Sequence, residues 1–274
     1  MKQLFATLLL SFLLINIAFS QHSTTEIYVI GNIHDSVPNY NPTILLGILN
    51  TIKPDIILHE VDSEGMKDYE RGGFFKGNEI QASNLYLKQY PRTLRFPFDF
   101  EGRNKYRKAM GMVPADNLSV QLIDSLYQAN ALTAEEADIY ETFNTITNDL
   151  IKISTLSPEN FNNKTTDSIS EKRQNYQYKE LLKITNSRPE FSKKYVVKPD
   201  GDSINYKDGF RLMSGFWDLR NQTMAKNIYN VAKKYPGKKI VVLTGFLHRY
   251  YLLKELGKLN DIDYILKEFY ESNN

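Results

Sequence analysis

No cysteine occurs anywhere in the 274 residues, which excludes both a disulfide framework and a lipid-anchoring lipobox and leaves the fold to be held by its core alone. Charge of one sign is lacking too: 34 Lys and Arg face 32 Asp and Glu, for a formal net charge of +2. No basic cluster alternates with aromatic residues, and the pairs Lys193-Lys194, Lys233-Lys234 and Lys238-Lys239 read as solvated ends of helices or strands, so nucleic acid is not an expected partner. A Gly-x-Ser-x-Gly elbow is missing, and Met213-Ser214-Gly215 follows no recognisable strand, which argues against a Ser-His-Asp triad. The apolar stretch from Leu4 to Phe19 is interrupted at Thr7, Ser11 and Asn16, and falls short of the roughly 20 residues a membrane span needs. With Lys2 before it and the small residues of Ala18-Phe19-Ser20 at its end, it reads as a secretory signal over residues 1–20. The expectation is an exported protein, periplasmic or secreted, with no stable membrane anchor after cleavage.

What is present is a set of apolar runs that each end in a functional side chain. Ile27-Tyr28-Val29-Ile30 leads into Gly31-Asn32-Ile33-His34, and Ile240-Val241-Val242-Leu243 leads into Gly245-Phe246-Leu247-His248. Between them Glu60 closes Ile56-Ile57-Leu58-His59, and Asp99 closes Leu94 to Phe98. Ligands of open α/β sheets bind beyond the carboxyl ends of the strands, so these two His and two carboxylates are expected to share a pocket. His59 points to the opposite face from Glu60 in a regular strand and is expected to be structural. Asp35 reads as a turn residue and Asp62 as a helix cap.

Asn41-Pro42 followed by Ile44, Leu45, Ile48, Leu49 and Ile52 predicts a capped helix with Pro in its first turn. Strand, helix and strand then form a βαβ unit, which implies parallel pairing. A helix is expected over Glu79 to Lys88, and Pro97, which cannot donate to a ladder, argues against a central place for the third strand. From Asp116 to about Leu156 the spacing is helical, with a Thr133/Glu136 capping box. Ser157 to Asn175, rich in Asn, Thr, Ser and Lys, reads as a surface loop, and Lys198 to Asp202 as the turn of a small hairpin. The expected fold for residues 21–274 is a single α/β domain. Its central sheet is mixed and largely parallel, flanked by helices, with a helical insertion over about residues 116–215.

On a predicted helix from Phe216 to Lys234, Trp217, Met224, Ile228 and Val231 share a face with Arg220 and Asn221. A guanidinium turned inward needs a partner, for which Glu60, Asp99 or an anionic ligand group would serve. The alternative is that Arg220 runs along the helix edge to water.

Taken together, the first Gly-x-x-His, the Lys53-Pro54-Asp55 before the strand ending in Glu60-Val61-Asp62, Arg220-Asn221 with Met224-Ala225, and the second Gly-x-x-His resemble the TraB/Tiki-like superfamily, relatives of erythromycin esterase-like and haem-binding ChaN-like proteins. The likeness covers roughly Ile27 to Asp62 and Gly215 to Leu256. It implies an α/β fold with both His and the Glu in one cleft, and hydrolytic activity in several members. The sequence departs from the pattern at Asn32, where Thr is usual, and at His59.

Two arrangements of the same residues stay open. In one, His34, Glu60 and His248 ligate a divalent metal such as Zn, Mn or Co, which would activate a water. Without metal, one His would be the general base, oriented by Glu60 or Asp99, with Arg220 meeting developing negative charge. Either way the expected activity is hydrolysis of an ester or peptide/amide bond in a small-molecule or peptide substrate. The rival is a non-catalytic binding protein for haem, iron or a small signalling ligand.

Overall fold

The computed structural model describes residues 24–71 and 76–271; the expected export signal lies outside them. Five strands, β1 (Thr25–Asn32), β2 (Ile56–His59), β3 (Leu94–Pro97), β6 (Lys239–Gly245) and β7 (Tyr264–Lys267), form a sheet in the order β3-β2-β6-β1-β7. All neighbours run parallel. The last long strand therefore slots between the first two: Ile240 is in register with Ile27 on one side and with Ile56 on the other. Its run Ile240 to Leu243 is buried throughout, as a parallel strand covered on both faces requires. β3 takes the edge, where Pro97 costs no ladder hydrogen bond.

Alternation along the strands splits the core into two layers. Ile27, Val29, Ile56, Leu58, Ile240 and Val242 meet Met224, Ile228 and Leu252 on one face, while Tyr28, Ile30, Ile57, Val241 and Leu243 meet Leu45, Leu49 and Tyr86 on the other. Each such aliphatic side chain contributes roughly 1.5–3 kcal/mol by leaving water. The helices are α1 (Pro42–Ile52), α2 (Ser63–Glu70), α3 (Asn78–Gln89), α4 (Arg103–Ala109), α5 (Met112–Gln128), α6 (Ala134–Ser154), α7 (Pro158–Phe161), α8 (Lys164–Asn175), α9 (Leu181–Ser187), α10 (Pro189–Lys193), α11 (Tyr206–Lys234) and α12 (Phe246–Leu256), with a π-helical turn at Tyr176–Glu180. Asn41 caps α1, Asp62 caps α2, and the Thr133/Glu136 box opens α6, each as its sequence indicates. β4 (Tyr195–Val197) and β5 (Ser203–Asn205) pair as the expected antiparallel hairpin.

Two expectations need correction. The stretch read as a surface loop holds α7 and α8. Asn163 caps α8 by accepting from Thr166 N, and the helix buries Thr166, Ser170 and Gln174. Its inner face is made of small polar side chains, so the apolar stripe that signals a helix is absent although the helix packs. α11 also begins ten residues earlier than expected, where the Asn205 side chain accepts from Asp208 N. The added turns carry Phe210 into a separate cluster with Ile123, Phe143, Leu181 and Ile184. α11 thus runs from the helical middle of the chain onto the sheet, with Arg220 at the crossing.

Candidate active site

His34 lies two residues beyond β1, Glu60 directly after β2, Asp99 two residues beyond β3, and His248 in the first turn of α12 after β6. All four strand ends meet at one edge of the sheet. A Cβ placed on Gly245 would lie 3.5 Å from His34 Nε2, 3.7 Å from Glu60 Oε2 and 3.7 Å from His248 Cδ2. Both imidazoles and the carboxylate therefore surround this glycine, well within the span of one small bound group. The first glycine serves packing instead: a Cβ on Gly31 would come within 2.8 Å of Phe246 Cα.

Arg220 is the hub. Its Nε donates to Asp99 Oδ1 at 2.8 Å and its Nη2 to Asp99 Oδ2 at 2.9 Å, a two-pronged pairing, and Nη2 also donates to Glu60 Oε1 at 2.6 Å. Arg103 reaches Asp99 Oδ2 at 2.9 Å, so two guanidinium groups face two carboxylates. Arg220, only 8% exposed, turns inward as its helical phase indicates and does not run out to water. Glu60 Oε2 accepts from Thr244 Oγ1 and from Gly245 N, each at 2.7 Å. Burial alone would raise the Glu60 carboxyl; His248, Arg220 and these donors hold it well below the usual carboxylate range.

The His248 tautomer follows from its partners. Asn221 Nδ2 donates to Trp217 O at 2.7 Å, which turns its Oδ1 toward His248 Nδ1 at 2.7 Å. Nδ1 must then carry the proton. Nε2 is left with the lone pair and accepts from Arg220 Nη1 at 2.9 Å, since a guanidinium has only donors. The ring stacks on Trp217 with centroids 4.4 Å apart. Burial, with Arg220 beside it, pushes the imidazole down to about 4 despite the nearby carboxylates, so His248 is neutral at pH 7.

His34 is the opposite case. Its side chain is 66% exposed at the cavity mouth, and Glu79 Oε1 sits 2.7 Å from Nδ1. That ion pair raises the ring to about 9. Asn78 braces the loop that carries it: Nδ2 donates to Ile33 O at 2.8 Å and Asp35 O at 3.1 Å, and the backbone N donates to His34 O at 2.9 Å. Asn78 and Glu79 escaped the sequence reading, which placed a helix there and nothing more. The one available signal was a polar pair at that helix start, with no spacing to link it to His34. Asn32 is also satisfied: Nδ2 donates to Ile30 O and Thr244 O, and Tyr40 donates to its Oδ1. His59 is buried edge-on against Tyr69, with its ring pushed down to about 3 by burial, and stays out of the cavity.

The expected metal shell of His34, Glu60 and His248 does not fit a cation in this arrangement. Glu60 Oε1 and the His248 lone pair both accept from Arg220, which stands between them, and Glu60 Oε2 is taken by Thr244 and Gly245. Among the described residues no other cluster of three His, Asp or Glu side chains is placed to hold a metal. The same occupied lone pair removes His248 as a ready haem ligand.

These residues line a cavity of about 550 Å³. One wall is the strand ends; the other comes from the helical middle of the chain, through Arg107 and Asp116 of α4 and α5, Arg173 of α8, and Tyr178 of the π-helical turn. Asp99 is not on its surface and acts from behind Arg220.

No protein-family model and no curated protein matches this chain. Among solved structures it is similar to the erythromycin esterase EreC, a mutant in its open conformation, with 11% identity and a TM-score of 0.30 over 85% of this chain. The matched region covers 63% of that structure, so the chain spans less than two thirds of its length.

Proposed function

We propose that this protein is a hydrolase of an ester or amide bond in a small-molecule or peptide substrate, with His34 as the group that moves the proton. The observation that supports it most is the Glu79–His34 pair. A carboxylate holds Nδ1, and Nε2 is turned toward Gly245, Glu60 and His248 at the cavity. This is the orientation a general base needs, with the base fixed by a third group.

In the proposed reaction, deprotonated His34 takes a proton from water at Nε2 as the water oxygen bonds to the carbonyl carbon, and the carbonyl π pair moves onto its oxygen. The oxyanion is met by Arg220, which Asp99 and Glu60 hold in place. Collapse of the tetrahedral intermediate expels the alkoxide or amine, which takes the proton back from His34. His248 and Glu60 are positioning residues: the first fixes Nη1 of Arg220, the second ties Arg220 to Gly245 N. With His34 titrating at about 9, the rate should climb with pH up to that region.

The test is hydrolysis of a panel of p-nitrophenyl esters and short peptides. The wild type should cleave at least one, and His34→Ala and Glu79→Gln should each lose about 10²-fold or more. Equal rates for wild type and His34→Ala across the panel would overturn the assignment and favour a protein that binds without cleaving. We also propose export; the mature chain should begin at or next to Gln21 by intact mass, and retained Met1 in exported protein would refute it.

A further inference from the structure

The wall of the cavity opposite the strand ends carries charge that the proposed chemistry does not use. Arg173 is largely buried there and has no carboxylate partner among the described residues. Its Nη1 donates to Gln174 Oε1 at 2.9 Å and to Gln177 Oε1, its Nε reaches Thr147 Oγ1 at 3.4 Å, and its guanidinium lies 5.1 Å from the Phe143 ring centre. These neutral partners hold the group without neutralising it. Arg107 stands in the same cavity, with Nε buried and without a hydrogen-bond acceptor. Its counter-ion Asp116 is 3.6 Å away, a loose pairing that leaves one Asp116 oxygen, Oδ1, equally unmatched. On this wall two guanidinium groups stand against one carboxylate, while the other carboxylates lining the cavity, Asp35 and Glu60, lie on the strand-end side, so Arg173 faces the space with no counter-charge of its own.

An uncompensated guanidinium in low dielectric is costly, and a ligand oxyanion is the partner whose geometry its planar fork matches. The π-helical turn supports the same reading. Such turns are rare and frequently found at functional sites, and this one begins right after α8 and brings Gln177 and Tyr178 to the cavity beside Arg173 and Gln174. We infer that this wall is a subsite for an anionic group, a carboxylate or phosphate, carried by the ligand whose scissile bond lies at His34. The word scissile rests on the hydrolase reading above; the anion site itself does not.

Two measurements separate the claims. The first is calorimetric titration of the purified protein with succinate and with inorganic phosphate at low ionic strength, repeated on Arg173→Gln and Arg107→Gln, with a thermal melt to establish that each variant is folded. At least one anion should bind the wild type, and binding should weaken about tenfold or more in a folded variant. Succinate alone binding assigns a carboxylate tail, and phosphate binding assigns a phosphate-bearing one. No binding of either anion, or equal binding in wild type and both variants, overturns the subsite. The second is the ratio of kcat/KM for two esters with the same leaving group, one ending in a carboxylate and one in its neutral amide. The wild type should favour the charged ester and the Arg173 variant should bring the ratio toward one. Hydrolysis without anion binding defeats the subsite alone; anion binding without hydrolysis defeats the hydrolase reading and leaves the subsite standing.

Discussion

His34 and His248 end the same four-residue pattern on adjacent parallel strands, yet they reach opposite states. β6 passes straight into α12, so His248 sits in a first helical turn, packed against Trp217 and closed in by Asn221 and Arg220. After β1 the chain enters a loop that runs to α1, so His34 sits at the cavity mouth, largely exposed, with Glu79 on its Nδ1. One ring is driven neutral by burial and the other is held charged by a carboxylate. The motif delivers position; the neighbours set protonation.

The largest break in this comparison is predicted at the residue that ties its two halves together. Arg220→Ala strands Glu60 and Asp99 in the interior and should cost about 3–5 kcal/mol in urea unfolding. Arg220→Lys should recover only part of that, because a point charge cannot fill both prongs at Asp99. Next, His248→Ala removes a buried, stacked and doubly hydrogen-bonded ring and should cost about 2–4 kcal/mol, whereas His34→Ala gives up only a solvent-screened ion pair with Glu79 and should cost no more than about 1 kcal/mol. Equal costs at the two positions would erase the distinction. Gly31→Ala should cost about 1–3 kcal/mol through its clash with Phe246.

The smallest effect is a pH dependence of opposite sign. Unfolded histidine titrates near 6.5. His248, depressed to about 4 in the fold, contributes stability that is present above about 6.5 and falls as the pH drops toward 4. His34, raised to about 9, contributes stability present below about 6.5 and lost as the pH rises through 9. Urea midpoints of His248→Gln and His34→Gln between pH 4 and 9 should each lose one arm of that curve.

Several parts of this arrangement were legible in the sequence because they follow from local rules. Helical phase alone turns Arg220 and Asn221 inward, strand ends locate Glu60, Asp99 and the two His, and Pro97 marks an edge. Other parts depend on long-range packing, which leaves no local mark. Nothing in the order of the strands says that β6 inserts between β1 and β2, and so sets Glu60 beside Gly245. Glu79 is brought to His34 by a helix more than forty residues along the chain. The polar inner face of α8 hid a helix that helps wall the cavity. The largely parallel sheet that the βαβ pattern implies is parallel at every pairing of its five strands.

The most direct test is an NMR titration of the imidazoles in the folded protein, assigned with His34→Gln and His248→Gln. One ring should titrate at about 9, and the His248 ring should remain in its neutral Nδ1-protonated form from pH 9 down to at least pH 5. If both rings titrate together near the ordinary value of about 6.5, or if His248 carries the charge at neutral pH, the two motifs are equivalent and the division of roles proposed for them is wrong.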